Sequence, residues 1–485
     1  MRLLIVLIFL SLAQVLFFSG CGHGGKYTVM VKMMPEQEKF FRENVISGFE
    51  EEYGCDIKVE GYETLEDVEE RLGSDTSLLL LKVPFENTIR FASNGDLLPL
   101  DKLLGQEEME KFKDTYFLLD LTKTDGSYFY IPRKFETRML VYRKSKVREA
   151  VKGWERYSRD INLSLKKHNG YGLPSGFVLE EDPGEWDYFD IYAAAFYWSR
   201  ENIDGEKKGR LAHRAKKYSG TSQRIVDRCY QLGASPMDIV NMNGDAVMDA
   251  FLWEAVYTSD SLYSPSMIRE RWSGSGIWKG FASGSVFMSF LTQIDCFFLH
   301  GTYSPDMPGY LGENRDDMGV SVMPAGVSMA LDADGNPVRR GNKGITTGGW
   351  WWGIPANTAA PKLGYKLAEY ITNTDNQIAG CSNFGMVPVR RDILGDIGLM
   401  FGRGWVSDVF NTAFLQLKEN RYNTIPRIEH YSRVSDIYIE AWYDICVNGN
   451  RGPGGRVSAP YIKNLIKSVY QPKLGSGFHT LTKER

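Results

Sequence analysis

Beyond its first twenty residues, this 485-residue chain has no apolar run approaching a membrane span, which needs roughly 20 such residues. Cysteine is scarce and unpatterned. The six residues, Cys21, Cys55, Cys229, Cys296, Cys381 and Cys446, lie far apart and form no CxxC pair. They define neither a metal site nor a disulfide framework. An oxidising compartment would allow a disulfide, but no pair is singled out. The six His are scattered without an HExxH, so no metal or cofactor is expected. Asp332-Ala333-Asp334-Gly335-Asn336 starts like a calcium loop. Pro337 then stands where that loop needs Gly, and Lys343 where it needs Glu, which leaves a polar turn. An excess of positive charge is also missing: 57 Lys and Arg face 61 Asp and Glu, for a net charge of −4. That excludes a basic nucleic-acid footprint. GxSxG, GxxxxGK[ST] and GxGxxG motifs are all absent. A glycosidase needs two carboxylates at set separations, a requirement that excludes nothing in a chain so rich in them, and no catalytic residue is assigned.

The chain opens with Met1-Arg2 and then an apolar run from Leu3 to Phe18, interrupted by Ser11 and Gln14. A basic start, a run of this length and small residues after it form a secretory signal. Phe18-Ser19-Gly20-Cys21 resembles the lipobox of bacterial lipoproteins, with Phe18 in place of the usual Leu. This implies a signal peptide over 1–20 and lipid attachment at Cys21. An uncleaved anchor is the alternative, and both place the rest of the chain outside the cytoplasm. Gly22-His23-Gly24-Gly25 completes a flexible tether over 21–25.

The next hundred residues switch repeatedly between periods of two and of about four. Tyr27–Met33 reads as a strand. Phe41, Val45 and Phe49 fall on one face of a helix over 36–53, with Pro35 at its start and Gly54 at its end. Ile57 and Val59 alternate in a second strand. Thr64 and Asp67 suit a capping box ahead of Leu65, Val68 and Leu72. Ser77–Val83 is a strand buried on both faces, and Asn87–Ser93 a short helix. This alternation predicts an α/β layer with a largely parallel sheet. Ligands bind outside the carboxyl ends of such strands, here at Met33-Met34-Pro35-Glu36 and Pro84-Phe85-Glu86-Asn87.

Seven stretches, in order, resemble the bacterial extracellular solute-binding proteins of the maltose-binding-protein-like family. They are ISGFEEEYGCDIKVE (46–60), RFASNGDLLPLDKLL (90–104), GSYFYIPRKFETRMLVYRKSKV (126–147), WKGFASGSVFM (278–288), DDMGVSVMPAG (316–326), GGWWWGIPANTAAPKLGYKLAEYITNTDNQ (348–377) and GMVPVRRDIL (385–394). The resemblance implies a periplasmic-binding-protein-like fold of two α/β lobes that close on a ligand. Lobe one would take in 26–132 and 325–371, and lobe two 142–317 and 377–485, with hinges near 133–141, 318–324 and 372–376. It implies a monomeric, non-enzymatic protein that binds a small solute and passes it to ABC transporter permeases. Presentation to a sensor kinase or chemoreceptor is the alternative, and a secreted glycan-active enzyme a more distant one.

Three consecutive tryptophans, Trp350, Trp351 and Trp352, favour a mono- or oligosaccharide, whose flat C–H face matches an aromatic ring. In a strand, Trp350 and Trp352 share one face and Trp351 takes the other. One face packs under a helix over 361–373. The other is expected to supply a sugar platform, unless all three are core; register decides which. The resemblance also implies ligand contacts at Glu136, Glu86 and Glu36, at Trp186 with Asp187, at Gln293 or Asp295, and at Tyr431. The bland readings are a hinge salt bridge with Arg133 or Arg138 for Glu136, helix-start stabilisation for Glu36, and core packing for Tyr431. A polyol, a sugar phosphate or a polyamine stays open as ligand. Arg133, Lys134 and Arg138 suit an anionic sugar such as a uronate, or simply stand solvated.

Overall fold

The computed structural model describes residues 26–203, 205–301, 309–394, 404–420 and 423–475. The lipobox, Cys21 and the tether lie outside the described residues. The elements used below are, in chain order, β1 (Lys26–Val31), α1 (35–53), β2 (Asp56–Gly61), α2 (Leu65–Leu72), β3 (Leu78–Pro84), α3 (Thr88–Ser93), β4 (Tyr130–Glu136), β5 (Arg138–Arg143), α4 (Tyr188–Arg200), β6 (Leu211–Ala212), α5 (Ser219–Gln231), α6 (Asp245–Ser259), α7 (Gly274–Ala282), β7 (Met288–Thr292), α8 (Gln293–His300), β8 (Met318–Ser321), β9 (Gly348–Gly353), α9 (Pro361–Ile371), α10 (Thr374–Phe384), α11 (Trp405–Glu419) and α12 (Tyr431–Trp442). The chain divides into two compact units. Unit 1 holds the described residues up to Lys134, Trp350–Ala379 and those from Pro388; unit 2 holds Phe135–Gly349, Gly380–Val387 and the described residues from 404 onward.

In unit 1 the strand order is β2-β1-β3-β9-β4. β1 runs parallel to β2 and β3, and β9 runs antiparallel to β3. Helix α1 begins at Pro35, where a missing N–H costs nothing. It passes through a π-helical stretch at Phe41–Ile46 and ends at Gly54, whose φ of 64° is the left-handed conformation glycine favours. Thr64 and Asp67 close a reciprocal capping box at the start of α2, at 3.3 and 2.8 Å. From Leu78 to Val83, β3 is buried on both faces, as its unbroken apolar run predicts. Helix α9 lies close on β3: a Cβ at Gly364 would stand 2.7 Å from the Leu79 carbonyl.

Strand β9 pairs Trp350 with Pro84, Trp351 with Val83 and Trp352 with Lys82. Trp351 and Trp352 are both 0% exposed. Trp352 stacks on Phe41 of α1 at 5.9 Å, while Trp351 tilts against Phe85 at 5.8 Å. The two indoles therefore fill the two faces of one sheet, and Trp350 alone of the three is half-buried.

Unit 2 has a four-stranded sheet of order β8-β5-β7-β6. Here β5 is antiparallel to β7 and β8, and β6 is parallel to β7. Helices α4 and α6 are buried nearly all round, the position expected of helices without a polar face. Residues 325–349, expected in lobe one, belong to unit 2. Ala325 N donates to the Trp186 carbonyl at 2.8 Å, Asn342 N to the Gln231 carbonyl at 2.8 Å, and Thr346 Oγ1 to Asp227 at 2.8 Å. Gly341 is required there, since any Cβ would fall 1.9 Å from the Gln231 carbonyl oxygen. Asp332 accepts from Asp334 N and Asn336 N at 3.0 and 2.9 Å, the geometry of a polar turn.

Removing a fully buried indole costs about 3–5 kcal/mol. Trp352→Ala should therefore lower the urea unfolding free energy by that much, and Trp350→Ala by about 2 kcal/mol. Equal losses would contradict this packing.

Candidate functional site

Each unit carries a polar and aromatic cluster at one end of its sheet. In unit 1 it lies where β1 and β3 end and β9 begins. Lys82 is 2% exposed. Its ammonium donates to the Lys32 carbonyl and sits 4.0 Å from the centre of the Trp350 ring. A desolvated cation–π contact of this kind is worth about 2 kcal/mol, enough to hold the indole in one orientation. The Tyr62 hydroxyl donates to the Lys82 carbonyl at 2.6 Å. Burial first, and the negative charge of Glu86 second, push the Tyr62 hydroxyl pKa up. Glu86 is half-buried beyond the end of β3, and Glu36 is exposed in the first turn of α1.

In unit 2 the cluster lies at the carboxyl ends of β6 and β7. Asp295 is its hub. Its carboxylate accepts from Thr292 N and Oγ1 at 2.9 and 2.7 Å, from Trp278 Nε1 at 2.9 Å and from Arg214 Nη2 at 3.0 Å. The bond from Thr292 N is one half of the capping box of α8; in the other half the Thr292 side chain accepts from Asp295 N. Trp278 stacks on Phe298 at 4.4 Å. The Arg214 side chain keeps 23% of its surface exposed, and its Nε is buried without a hydrogen-bond partner. Burial acts first on Arg214 and would lower its pKa. The charges of Tyr218, Asp295 and Glu136 outweigh burial and leave the pKa above its ordinary value.

The sequence candidates thus fall into distinct places. Trp350 and Glu86 stand at the unit 1 cluster, with Glu36 exposed at the start of α1. Glu136 and Asp295 stand at the unit 2 cluster. Gln293, 0% exposed, accepts from Thr137 N at 3.4 Å and donates to the Phe135 carbonyl at 3.2 Å, so it clamps the β4–β5 turn. Trp186 is 0% exposed and donates to the Glu180 carbonyl at 2.8 Å. Asp187 caps α4 through Phe189 N at 2.7 Å. Tyr431 is 2% exposed at the start of α12. Trp351 and Trp352 are core. Arg133, Lys134 and Arg138 are all buried rather than solvated, and Arg138 grips Asp227 through both oxygens.

Sequence reasoning missed Lys82, Tyr62, Arg214 and Trp278. A lone Lys inside the apolar run SLLLLKV was a usable signal for Lys82. Arg214 follows a strand of only two residues, too short to show a period. Among the described residues, no group of three or more His, Cys, Asp or Glu could hold a metal ion. No described helix is long and apolar enough to cross a membrane.

A family profile described as bacterial extracellular solute-binding protein matches residues 44–396. A search of the curated proteins gave no match. Among solved structures, the maltose-bound MalE3 of T. maritima is similar at a TM-score of 0.65 and 15% identity, covering 91% of this chain and 98% of that one. The GacH receptor of Streptomyces glaucescens, solved unliganded and with acarbose, gives 0.63 and 14%, covering 93% and 99%. An ABC transporter solute-binding protein of Agrobacterium radiobacter, in complex with ribitol, gives 0.61 and 14%, covering 91% and 97%. The family and these neighbours are binding proteins, not enzymes.

One consequence of the Asp187–Asp190 arrangement is measurable. Burial first, and the Asp187 carboxylate second, raise the Asp190 pKa to about 8. The folded state therefore holds a proton that the unfolded chain releases near the ordinary Asp value. This contribution is complete below that ordinary value and is lost as pH rises through about 8. The thermal midpoint should fall between those two pH values, and Asp190→Asn should flatten the fall. An unchanged slope in the variant would contradict the assignment.

Proposed function

Because the chain belongs to the bacterial extracellular solute-binding protein family, we propose that it captures a mono- or oligosaccharide outside the cytoplasm and delivers it to ABC transporter permeases. Lipid on Cys21 would hold it at the membrane. The observation that carries the sugar reading is Trp350. It alone of the three tryptophans keeps exposed surface, and it is fixed by the buried Lys82 ammonium 4.0 Å from its centre. The surface Trp350 keeps exposed is what the C–H face of a pyranose would cover. Glu86 and Tyr62 beside it in unit 1 supply groups suited to hydroxyls, and unit 2 by itself offers Arg214 and Glu136. Binding of maltose and acarbose by structural neighbours supports the same ligand class, and binding of ribitol by another extends the candidates to polyols. The Arg214 side chain, which keeps 23% of its surface exposed, favours, within that class, a sugar with an acidic substituent.

A thermal-shift panel of neutral sugars, uronates and polyols tests this. A ligand at ~100 times its dissociation constant adds about 2.7 kcal/mol. A sugar hit should lose at least tenfold in affinity in Trp350→Ala. An Arg214→Gln variant should lose affinity for a uronate more than for the matching neutral sugar. Silence across the panel, or a hit unchanged in Trp350→Ala, contradicts the reading. In cells, Cys21→Ala should move the protein from the membrane fraction to the soluble one; retention in the membrane argues for an uncleaved anchor.

A further inference from the structure

On α5, Arg224, Asp227, Arg228 and Gln231 recur at the spacing of one helix face. All four are buried, with Arg224 2% exposed and the other three 0%. Three of them are fully matched. Gln231 accepts from the Tyr188 hydroxyl at 2.8 Å and donates to the Pro324 carbonyl at 2.6 Å. Asp227 takes the Nε and Nη2 of Arg138, one on each oxygen, and the hydroxyl of Thr346. Arg228 pairs with Glu254, which also meets His213 Nε2 at 3.1 Å, Trp442 Nε1 at 3.0 Å and the Tyr263 hydroxyl at 3.0 Å. Arg224 is the exception. Its Nε, Nη1 and Nη2 are all buried and have no hydrogen-bond partner.

The face of the Arg224 guanidinium is covered, with its central carbon 3.7 Å from the centre of the Phe290 ring. A cation–π contact offsets only part of what an unpaired interior charge costs, and each unmet buried donor adds to that cost. A ring beneath the plane satisfies none of the five in-plane N–H groups. Arg cannot escape by losing its proton, even though burial first and the Arg228 charge second lower its pKa. The stripe and its partners bring Arg138, Arg224 and Arg228 against only two carboxylates, Asp227 and Glu254. One positive charge is left over in a region closed to water.

We propose that unit 2 holds a small inorganic anion, of halide or nitrate size, against the N–H edge of Arg224. At 2% exposure the guanidinium is beyond the reach of a sugar or of its carboxylate. The bound ion is therefore a structural part of unit 2, independent of the captured solute and of the reading proposed above.

Crystals of the full chain grown in sodium bromide, with anomalous data collected at the bromine edge, test this directly. The expected result is a bromide peak within about 3.5 Å of the Arg224 nitrogens. A water there, an empty edge, or bromide at surface positions as an adventitious ion only would overturn the proposal. In solution, the thermal midpoint should rise saturably when gluconate is replaced by bromide at constant ionic strength, and Arg224→Met should abolish that response. A variant that folds and responds as the parent does would also overturn it. Should Arg224→Met fail to fold, the crystallographic arm decides alone.

Discussion

Unit 1 depends on two adjacent indoles buried on opposite faces of one strand. A tryptophan buries roughly 150–250 Å², worth roughly 4–6 kcal/mol at about 25 cal/mol per Å². Placing Trp351 against Phe85 and Trp352 against Phe41 commits such a quantity on both sides of β9. A shift of one residue along β3 would swap the faces of both and empty both packing sites. That register fixes Trp350 opposite Pro84, and Lys82, on the same face two residues earlier in β3, fixes its ring. The exposed aromatic surface follows from the buried one.

Unit 2 relies on charge rather than indoles. Asp295 caps a helix, holds the Trp278 indole and orients Arg214 with one carboxylate. Below it, Glu254 gathers Arg228, His213, Tyr263 and Trp442 in the interior. Buried pairs of this kind contribute little net stability, but breaking one costs 3–5 kcal/mol. They make the arrangement of the sheet end specific, so that Arg214 leaves surface exposed in a fixed place.

Much of the fold was legible because unit 1 follows simple periods. Phe41, Val45 and Phe49 mark α1, Thr64 and Asp67 cap α2, and the leucines of β3 announce a strand covered on both faces. Unit 2 was read less well. Its strand β6 has two residues, and α4 and α6 are apolar all round, so neither gives a face. The loop over 325–349 follows unit 2 because of backbone hydrogen bonds that no side-chain pattern encodes. At the candidate site, alternation limited the three tryptophans to two faces, but it could not tell which would be capped by Phe41 and which by a lysine. Asp295 was visible as a residue after a strand; its partner Arg214, 81 positions away, was not.

The central claim is that Trp350 is the surface on which solute lies. Oxidation by N-bromosuccinimide, followed by peptide mass spectrometry, measures it directly. In the free protein Trp350 should be modified well before Trp351 and Trp352, and a saturating bound sugar should protect it while the half-buried Trp405 reacts unchanged. Modification of Trp350 at the same rate with and without bound sugar would contradict the account.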